Sequence, residues 1–199
     1  MLKTNGESMQ FKNSKQQYGW VSIVMHWLMA IIVFGMFGLG LYMVDLTYMD
    51  DWYKTAPDLH IGMGMLLLGA LVIRLCWRFA NEVPVILGSK VEKKAGLWVH
   101  RSHYVLMFLL MFSGYMIVTA HGRGIDFFGW FDIPAIFPAE KGREALAGDI
   151  HRYLAWGFMG FVALHAAAAF KHHFINKDKT LTRMLGIKPN HKGEKNERK

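Results

Sequence analysis

The sequence is poor in cysteine and in the patterns that mark common soluble enzymes. Cys76 is the only cysteine among 199 residues, which excludes an internal disulfide, a CxxC redox pair, a cysteine-ligated iron–sulfur cluster and a c-type haem attachment site. It sits in an apolar stretch, and we interpret it as an inert core residue. The chain also lacks a phosphate-binding glycine loop, a paired-carboxylate pattern and a serine–histidine–acid order, so hydrolysis and nucleotide chemistry are not indicated.

Charge is absent from four long stretches. The runs without Asp, Glu, Lys or Arg cover residues 18–44, 59–73, 102–122 and 153–170. A bilayer crossing needs about 20 mostly apolar residues, and the shorter runs reach that length when flanking basic side chains extend to the membrane surface. The sequence therefore predicts an all-α protein, a bundle of four transmembrane helices in a lipid bilayer, at about 18–44, 58–79, 95–120 and 147–176.

The basic residues predict the orientation of this bundle. We divide the chain into a polar cytoplasmic arm (1–17), a transmembrane domain (18–176) and a basic, partly disordered cytoplasmic tail (177–199). Eighteen of the 23 lysines and arginines lie in the arm, the second loop region or the tail, on one side of the bundle. Basic residues mark the cytoplasmic side, so both termini are predicted to be cytoplasmic. Nucleic-acid binding would need a basic face on a folded soluble domain, and the sequence shows no such face.

Eight of the ten histidines fall within the predicted helices, and four of these form two levels. His60 and His151 begin their helices on the outer side, whereas His26 and His165 lie toward the inner side. The 14 residues between His151 and His165 place them on one face of a helix, about 21 Å apart. Buried histidines in a membrane usually have a function, and two facing imidazoles from different helices can hold a haem iron. The pattern predicts two haem groups, one at each level.

Other histidines leave alternatives open. His100 and His103 begin the third helix at the inner surface, where they compete with His26 as inner ligands, contact the cofactor's carboxylates or are solvated. His172 lies beside Lys171 at the inner surface. It is either part of a basic anchor or a hydrogen-bond donor to a quinone carbonyl near the inner haem.

Several motifs resemble those of the bacterial cytochrome b561 family, and most closely its superoxide oxidase branch, the superoxide:ubiquinone oxidoreductases. They are "SIVMHWLMA" (22–30), "LHIGMGMLLLGALVIRLCWR" (59–78), "LHAAAAFKHHF" (164–174) and "NKDKTLTRMLG" (176–186). The resemblance implies a four-helix protein of the bacterial inner membrane with two haem b groups. It assigns the inner haem to His26 and His165, the outer haem to His60 and His151, and a place beside the ubiquinone pocket to His172.

The resemblance also implies an activity. In that branch a basic outer surface attracts superoxide, and the electron passes through the haems to ubiquinone. Here the outer segment offers Arg123, Arg143 and Arg152 as candidate substrate-attracting residues, interspersed with five carboxylates. A basic entrance raises association rates about 10- to 1000-fold. The alternative function is an electron-transfer subunit that links the quinone pool to a partner dehydrogenase or hydrogenase, with the apolar segment "IDFFGWFDIPAIF" (125–137) as a periplasmic docking surface.

Overall fold

The computed structural model describes residues 10–187, so parts of the predicted cytoplasmic arm (1–17) and of the predicted tail (177–199) lie outside the described residues. The elements in chain order are α1 (Trp20–Met43), α2 (Thr55–Phe79), α3 (Lys90–Val118), β1 (Ile125–Phe127), β2 (Phe131–Ile133), α4 (Arg143–Phe174) and α5 (Thr180–Met184).

The four long helices have the length and composition of membrane spans. They contain 24 to 32 residues, and at about 1.5 Å per residue each is long enough to cross a hydrocarbon core about 30 Å thick. In the most apolar stretch of each helix, only 6 to 17% of the residues are buried inside the protein. The remaining side chains face outward, as lipid-facing residues do. The predicted four-helix transmembrane fold is confirmed. Cys76 is exposed on the surface of α2 rather than buried in a core, which corrects our interpretation of it.

Three of the four long helices, α2, α3 and α4, begin earlier than the uncharged runs suggested, and α3 shows why. Ser89 and Glu92 form a capping box: the Ser89 hydroxyl accepts from the Glu92 backbone N–H at 3.3 Å, and the Glu92 carboxylate accepts from the Ser89 backbone N–H at 2.8 Å. This reciprocal pair satisfies backbone donors that a helix start otherwise leaves unpaired. As a result α3 starts at Lys90, five residues before the predicted start at 95.

The main cluster of buried apolar side chains is small and lies between the first three helices. Met29, Leu67 and Leu71 form its buried centre, with exposed fractions of 4%, 1% and 1%. Helix α1 packs along α2, α2 along α3, and α3 most extensively along α4. Helix α4 meets α1 through side chains, for example where the rings of Phe37 and Trp156 have centroids 5.1 Å apart.

The two ends of the bundle differ. At the end that we call the hairpin end, β1 and β2 form an antiparallel hairpin in which Ile125 pairs with Ile133. The sequence singled out this segment as apolar but did not predict strands in it. Phe128, at the turn, packs over α2: a Cβ on Gly62 would be 2.3 Å from the Phe128 ring, so a larger residue there would displace the ring. At the opposite end, the terminal end, Trp27 Nε1 donates to the Met184 carbonyl at 2.9 Å.

Candidate functional site

Four histidines from three helices come together as two pairs. Near the hairpin end, the rings of His60 (α2) and His151 (α4) have their centroids 6.2 Å apart, at an interplanar angle of 74°. Nearer the terminal end, the rings of His26 (α1) and His165 (α4) have centroids 6.3 Å apart, at 67°. These are the two pairs, at the two levels, that the sequence predicted to be close.

The ring separations suit two imidazoles that share one metal ion. Metal–imidazole nitrogen bonds are about 2.0 Å long and each nitrogen lies about 1.1 Å from its ring centroid, so two opposed rings that share a metal would stand about 6.2 Å apart. Both observed separations match this value. Opposed imidazoles from separate helices are one of the ligand sets that hold haem iron. The residues present therefore fit haem at both levels.

The surroundings of His151 favour this role. Its Nδ1 is 3.0 Å from the carbonyl oxygen of Leu110 and 3.0 Å from the hydroxyl of Ser113, both on α3. An Nδ1–H that donates to these oxygens leaves Nε2 free, which is the usual arrangement of a metal-binding histidine. Gly114 leaves room for the ring, since a Cβ at that position would be 3.3 Å from Cε1 of His151.

His60 is held differently. Its Nδ1 is buried and has no hydrogen-bond partner among the described residues. The ring packs instead against α1, where a Cβ on Gly40 would lie 3.2 Å from Cε1 of His60. Two glycines, Gly40 on α1 and Gly114 on α3, thus make space for the two imidazoles of the hairpin-end pair.

The terminal-end pair lies in a larger group of polar side chains. His100 and His103 both contact His165, with ring centroids 5.4 and 5.2 Å away. These separations are shorter than a shared metal ion requires, whereas His26 stands at the required distance from His165. His103 donates from Nδ1 to the Val99 carbonyl at 2.7 Å, and its Nε2 is buried without a partner in the described part of the chain. We therefore keep His26 as the counterpart of His165.

An arginine lies beside His26. Arg74, on α2, donates from Nη2 to Nδ1 of His26 at 3.2 Å and from Nε to the hydroxyl of Tyr104 at 3.2 Å. It lies five residues before the end of α2 at Phe79, or about 7.5 Å inside the helix. The sequence indicated only that this arginine reaches the membrane surface, and the structure instead places its guanidinium against a candidate ligand.

His172 lies at the terminal end, outside both pairs. Its Nδ1 is 2.5 Å from a carboxylate oxygen of Asp178, and its side chain is only 13% exposed. Asn176 Nδ2 lies 3.3 Å from the same nitrogen. Burial raises the pKa of Asp178, but hydrogen bonds from Thr180 and His172 outweigh that effect and leave the pKa below its usual value. The carboxylate is therefore ionised and accepts from His172.

The three arginines predicted to attract substrate occupy different environments. Arg123 is exposed at the start of the hairpin segment. Arg152 is also exposed and lies 3.5 Å from the carboxylate of Asp149. Arg143 is 8% exposed, and its guanidinium donates to the Thr119 and Ala120 carbonyls at 3.0 and 3.1 Å. It caps the end of α3, which differs from the exposed position that we expected.

Comparisons with known proteins now decide the family. The sequence model of the prokaryotic cytochrome b561 family matches residues 17–186. The chain belongs to this family. "Cytochrome b561 homolog 2" of Escherichia coli (strain K12) is 47% identical over 184 residues, which cover 89% of this chain and 96% of the relative. "Cytochrome b561 homolog 1" of the same strain is 28% identical over 137 residues, 67% of this chain and 76% of that protein.

A third relative is named for an activity. "Probable superoxide oxidase CybB" of Yersinia pestis is 26% identical over 178 residues, which cover 85% of this chain and 96% of that protein. Together the family match and the four spans make this protein a multi-pass cytochrome b561 of the bacterial inner membrane, with haem b and an electron-transfer function. The predicted family and location are confirmed.

Sequence reasoning missed the residues that hold the histidines in place. Arg74 was the most visible of them, since an arginine well inside a membrane helix marks a functional position. Ser113 and Asp178 were not visible, because a serine in an apolar helix and an aspartate in a polar segment are both common. Their roles follow only from the packing of α3 on α4 and from the turn after α4.

Proposed function

We propose that this cytochrome b561 holds two haem b groups, one between His60 and His151 and one between His26 and His165, and carries electrons across the inner membrane. The observation that carries the proposal is the pair of ring separations, 6.2 and 6.3 Å, at two levels of one bundle. Haem b would supply reversible one-electron chemistry. The protein supplies the imidazoles, their orientation and an apolar surrounding.

The orientation that we propose places both termini in the cytoplasm and the hairpin end in the periplasm. Its support is the concentration of lysine and arginine at the terminal end, which is typical of the cytoplasmic face. Electrons that enter at the hairpin end then reach the cytoplasmic side of the bilayer, about 21 Å further along α4.

Ubiquinone is the acceptor that we propose, at the terminal end beside His172. Because Asp178 accepts from Nδ1 of His172, Nε2 of the same ring is available to a quinone carbonyl. A protonated imidazole held by a carboxylate both donates a hydrogen bond and supplies a proton. Reduction of a quinone to a quinol takes up two electrons and two protons, so a proton donor is needed at this end of the path.

Superoxide is the first candidate for the electron donor. Its support is the printed name of the 26% identical relative, "Probable superoxide oxidase CybB". Two superoxide anions would each give up one electron and leave as dioxygen, and these two electrons would reduce one ubiquinone. Arg123 and Arg152 are the exposed side chains that would attract the anion. Arg143 would contribute by fixing the end of α3, since its guanidinium is buried.

A partner protein is the second candidate donor, and two observations favour it. Residues 45–58 and 121–152 contain nine carboxylates and only five lysines or arginines, so the hairpin end has an excess of negative charge. Its hairpin segment also exposes large apolar side chains, with Trp130 78%, Ile136 77% and Phe131 56% exposed. Exposed apolar patches rimmed by charge are typical of docking surfaces, and such a surface suits a periplasmic dehydrogenase or hydrogenase subunit.

One experiment separates the two donors. Purified, oxidised protein with bound ubiquinone is mixed with a superoxide pulse, and haem reduction is followed by its visible absorption. If superoxide is the donor, haem reduction should be fast and should slow as the salt concentration rises. It should also be slower in R123Q than in the wild type, whereas the exposed control Lys54→Gln should change the rate less. Reduction that is slow and insensitive to salt would remove superoxide as the donor. Recovery of the protein in a stable complex with a redox subunit would then support the second candidate.

A further inference from the structure

Two arginines of α2 face a cleft at the terminal end. Arg74 and Arg78 are four residues apart on the helix and therefore on one face. Both line this cleft together with Tyr104 and Tyr18. The guanidinium of Arg78 lies 5.7 Å from the centre of the Tyr104 ring, and Arg74 donates to the hydroxyl of that same tyrosine.

These positive charges have no negative counterpart nearby. Within residues 10–187, the ion pairs involve other residues, and none places a carboxylate within 4.0 Å of Arg74 or Arg78. Tyr18 does not provide a negative charge, because burial raises the pKa of its phenol although Arg78, Arg183 and Arg74 oppose the shift. A guanidinium inside a membrane helix is costly unless an acceptor satisfies it.

Arg74 would lose its present partner if His26 held a metal ion through Nε2. A guanidinium can only donate hydrogen bonds, so Nδ1 of His26 accepts from Arg74 and the ring hydrogen is on Nε2. A neutral imidazole that binds a metal through Nε2 has its hydrogen on Nδ1. The two arrangements exclude each other. Metal binding therefore frees Arg74 while the Tyr104 hydroxyl and the Met29 sulfur, 3.9 Å away, remain as weak acceptors.

We infer that Arg74, assisted by Arg78, binds a carboxylate of the porphyrin whose iron is held by His26 and His165. Haem b has two carboxylate side chains on one edge, and an arginine fork matches a carboxylate in a bidentate way. The inference rests on the proposed function, because it requires haem at the terminal-end pair. It assigns a second role to α2, which provides His60 to one haem and a carboxylate-binding site to the other.

The first test compares R74Q, R74K and R101Q in the haem-loaded full chain. Arg101 is exposed at the same end of the molecule and is the matched control. Removal of a positive charge beside one haem favours its oxidised state, so R74Q should lower the reduction potential of the terminal-end haem alone. Loss of a charge-assisted hydrogen bond should speed its release roughly 10- to 100-fold. R74K keeps the charge and should change the potential less, whereas a merely structural role predicts no such difference.

The second test identifies the anion. The full chain is loaded with haem b or with its dimethyl ester, which has no free carboxylates. Esterification should speed release of the terminal-end haem in the wild type and add little in R74Q, because both changes remove the same contact. Additive effects would mean that Arg74 binds another anion, such as a lipid phosphate, and would overturn the inference.

The H26A variant, measured alongside R74Q, distinguishes an error in the proposed haem site from an error in the role of Arg74. If H26A keeps both haems, the proposed haem site is wrong. If H26A loses one haem while R74Q keeps wild-type potentials and release rates, the haem site stands and only the role of Arg74 is wrong.

Discussion

The two glycines beside the hairpin-end histidines offer a selective perturbation. In G114A the added Cβ would lie 3.3 Å from Cε1 and 3.5 Å from Nδ1 of His151. The first contact is tighter than nine in ten real Cβ contacts, so the ring must move by a few tenths of an ångström. It cannot move freely, because Leu110 and Ser113 hold its Nδ1 at 3.0 Å. The strain therefore falls on the bond that His151 would make to iron.

We expect G114A to weaken binding of the hairpin-end haem about 10- to 100-fold, as changes to the residues that position a metal-binding histidine commonly do. G40A should affect the same haem through His60, because its Cβ would be 3.2 Å from that ring. The matched control is G160A on α4, where no atom lies within 4 Å of the added Cβ. Since alanine favours a helix more than glycine does, a loss of haem cannot be explained by a weaker helix.

The assay is the haem-to-protein ratio after gel filtration, together with the rate at which haem passes to an excess of apomyoglobin. G114A and G40A should release one of two haems faster, whereas G160A should behave as the wild type. Wild-type release from both G114A and G40A would refute the reasoning that these histidines hold a haem in the arrangement described. Equal loss of both haems would refute the proposal that the two sites are separate.

Three further predictions test other parts of the molecule. H60A and the double variant H60A/H151A should each lose the same single haem, because both ligands serve one site; a larger loss in the double variant would contradict the pairing. D178N should slow quinone reduction roughly tenfold through loss of a charge-assisted hydrogen bond to His172, with haem content unchanged. In the wild type, the contribution of the Asp178 carboxylate should be lost in acid, below its already lowered pKa. A wild-type rate in D178N would argue against the role of this carboxylate. R143Q should lower the free energy of unfolding by about 3 kcal/mol, since it leaves two backbone carbonyls at the end of α3 without their charged donor, as measured by thermal unfolding in detergent against R123Q; equal stability of these two variants would exclude the capping role.

Residue types and spacing were sufficient to predict the membrane fold and the paired histidines. Uncharged runs of bilayer length have few alternatives, and the interval between His151 and His165 determines which helix face both occupy. Depth matched His151 with His60, but at the inner level it left His100 and His103 as alternatives to His26, which only the ring separations distinguish. These inferences succeed because helix geometry and the cost of charge in lipid are local properties that a single sequence records.

What could not be predicted depends on contacts between distant segments. Arg143 is buried because its guanidinium caps the carbonyls at the end of α3. The sequence does not show that this helix end lies next to Arg143. The hairpin was missed because its strands have three residues each, too few to show an alternating pattern. Arg74 appeared as a membrane-surface residue because the sequence does not show that His26 on α1 is its neighbour.

The arrangement of His151 and His165 on α4 has an evolutionary consequence. One continuous helix sets both the distance and the relative angle between the two imidazoles. A single-residue insertion or deletion between His151 and His165 would therefore turn one imidazole away by about 100°. Loops can lengthen and the chain ends can diverge without disturbing electron flow, but this interval of helix cannot change by one residue. We therefore expect the spacing of these two histidines to vary less among relatives than any loop length in the protein.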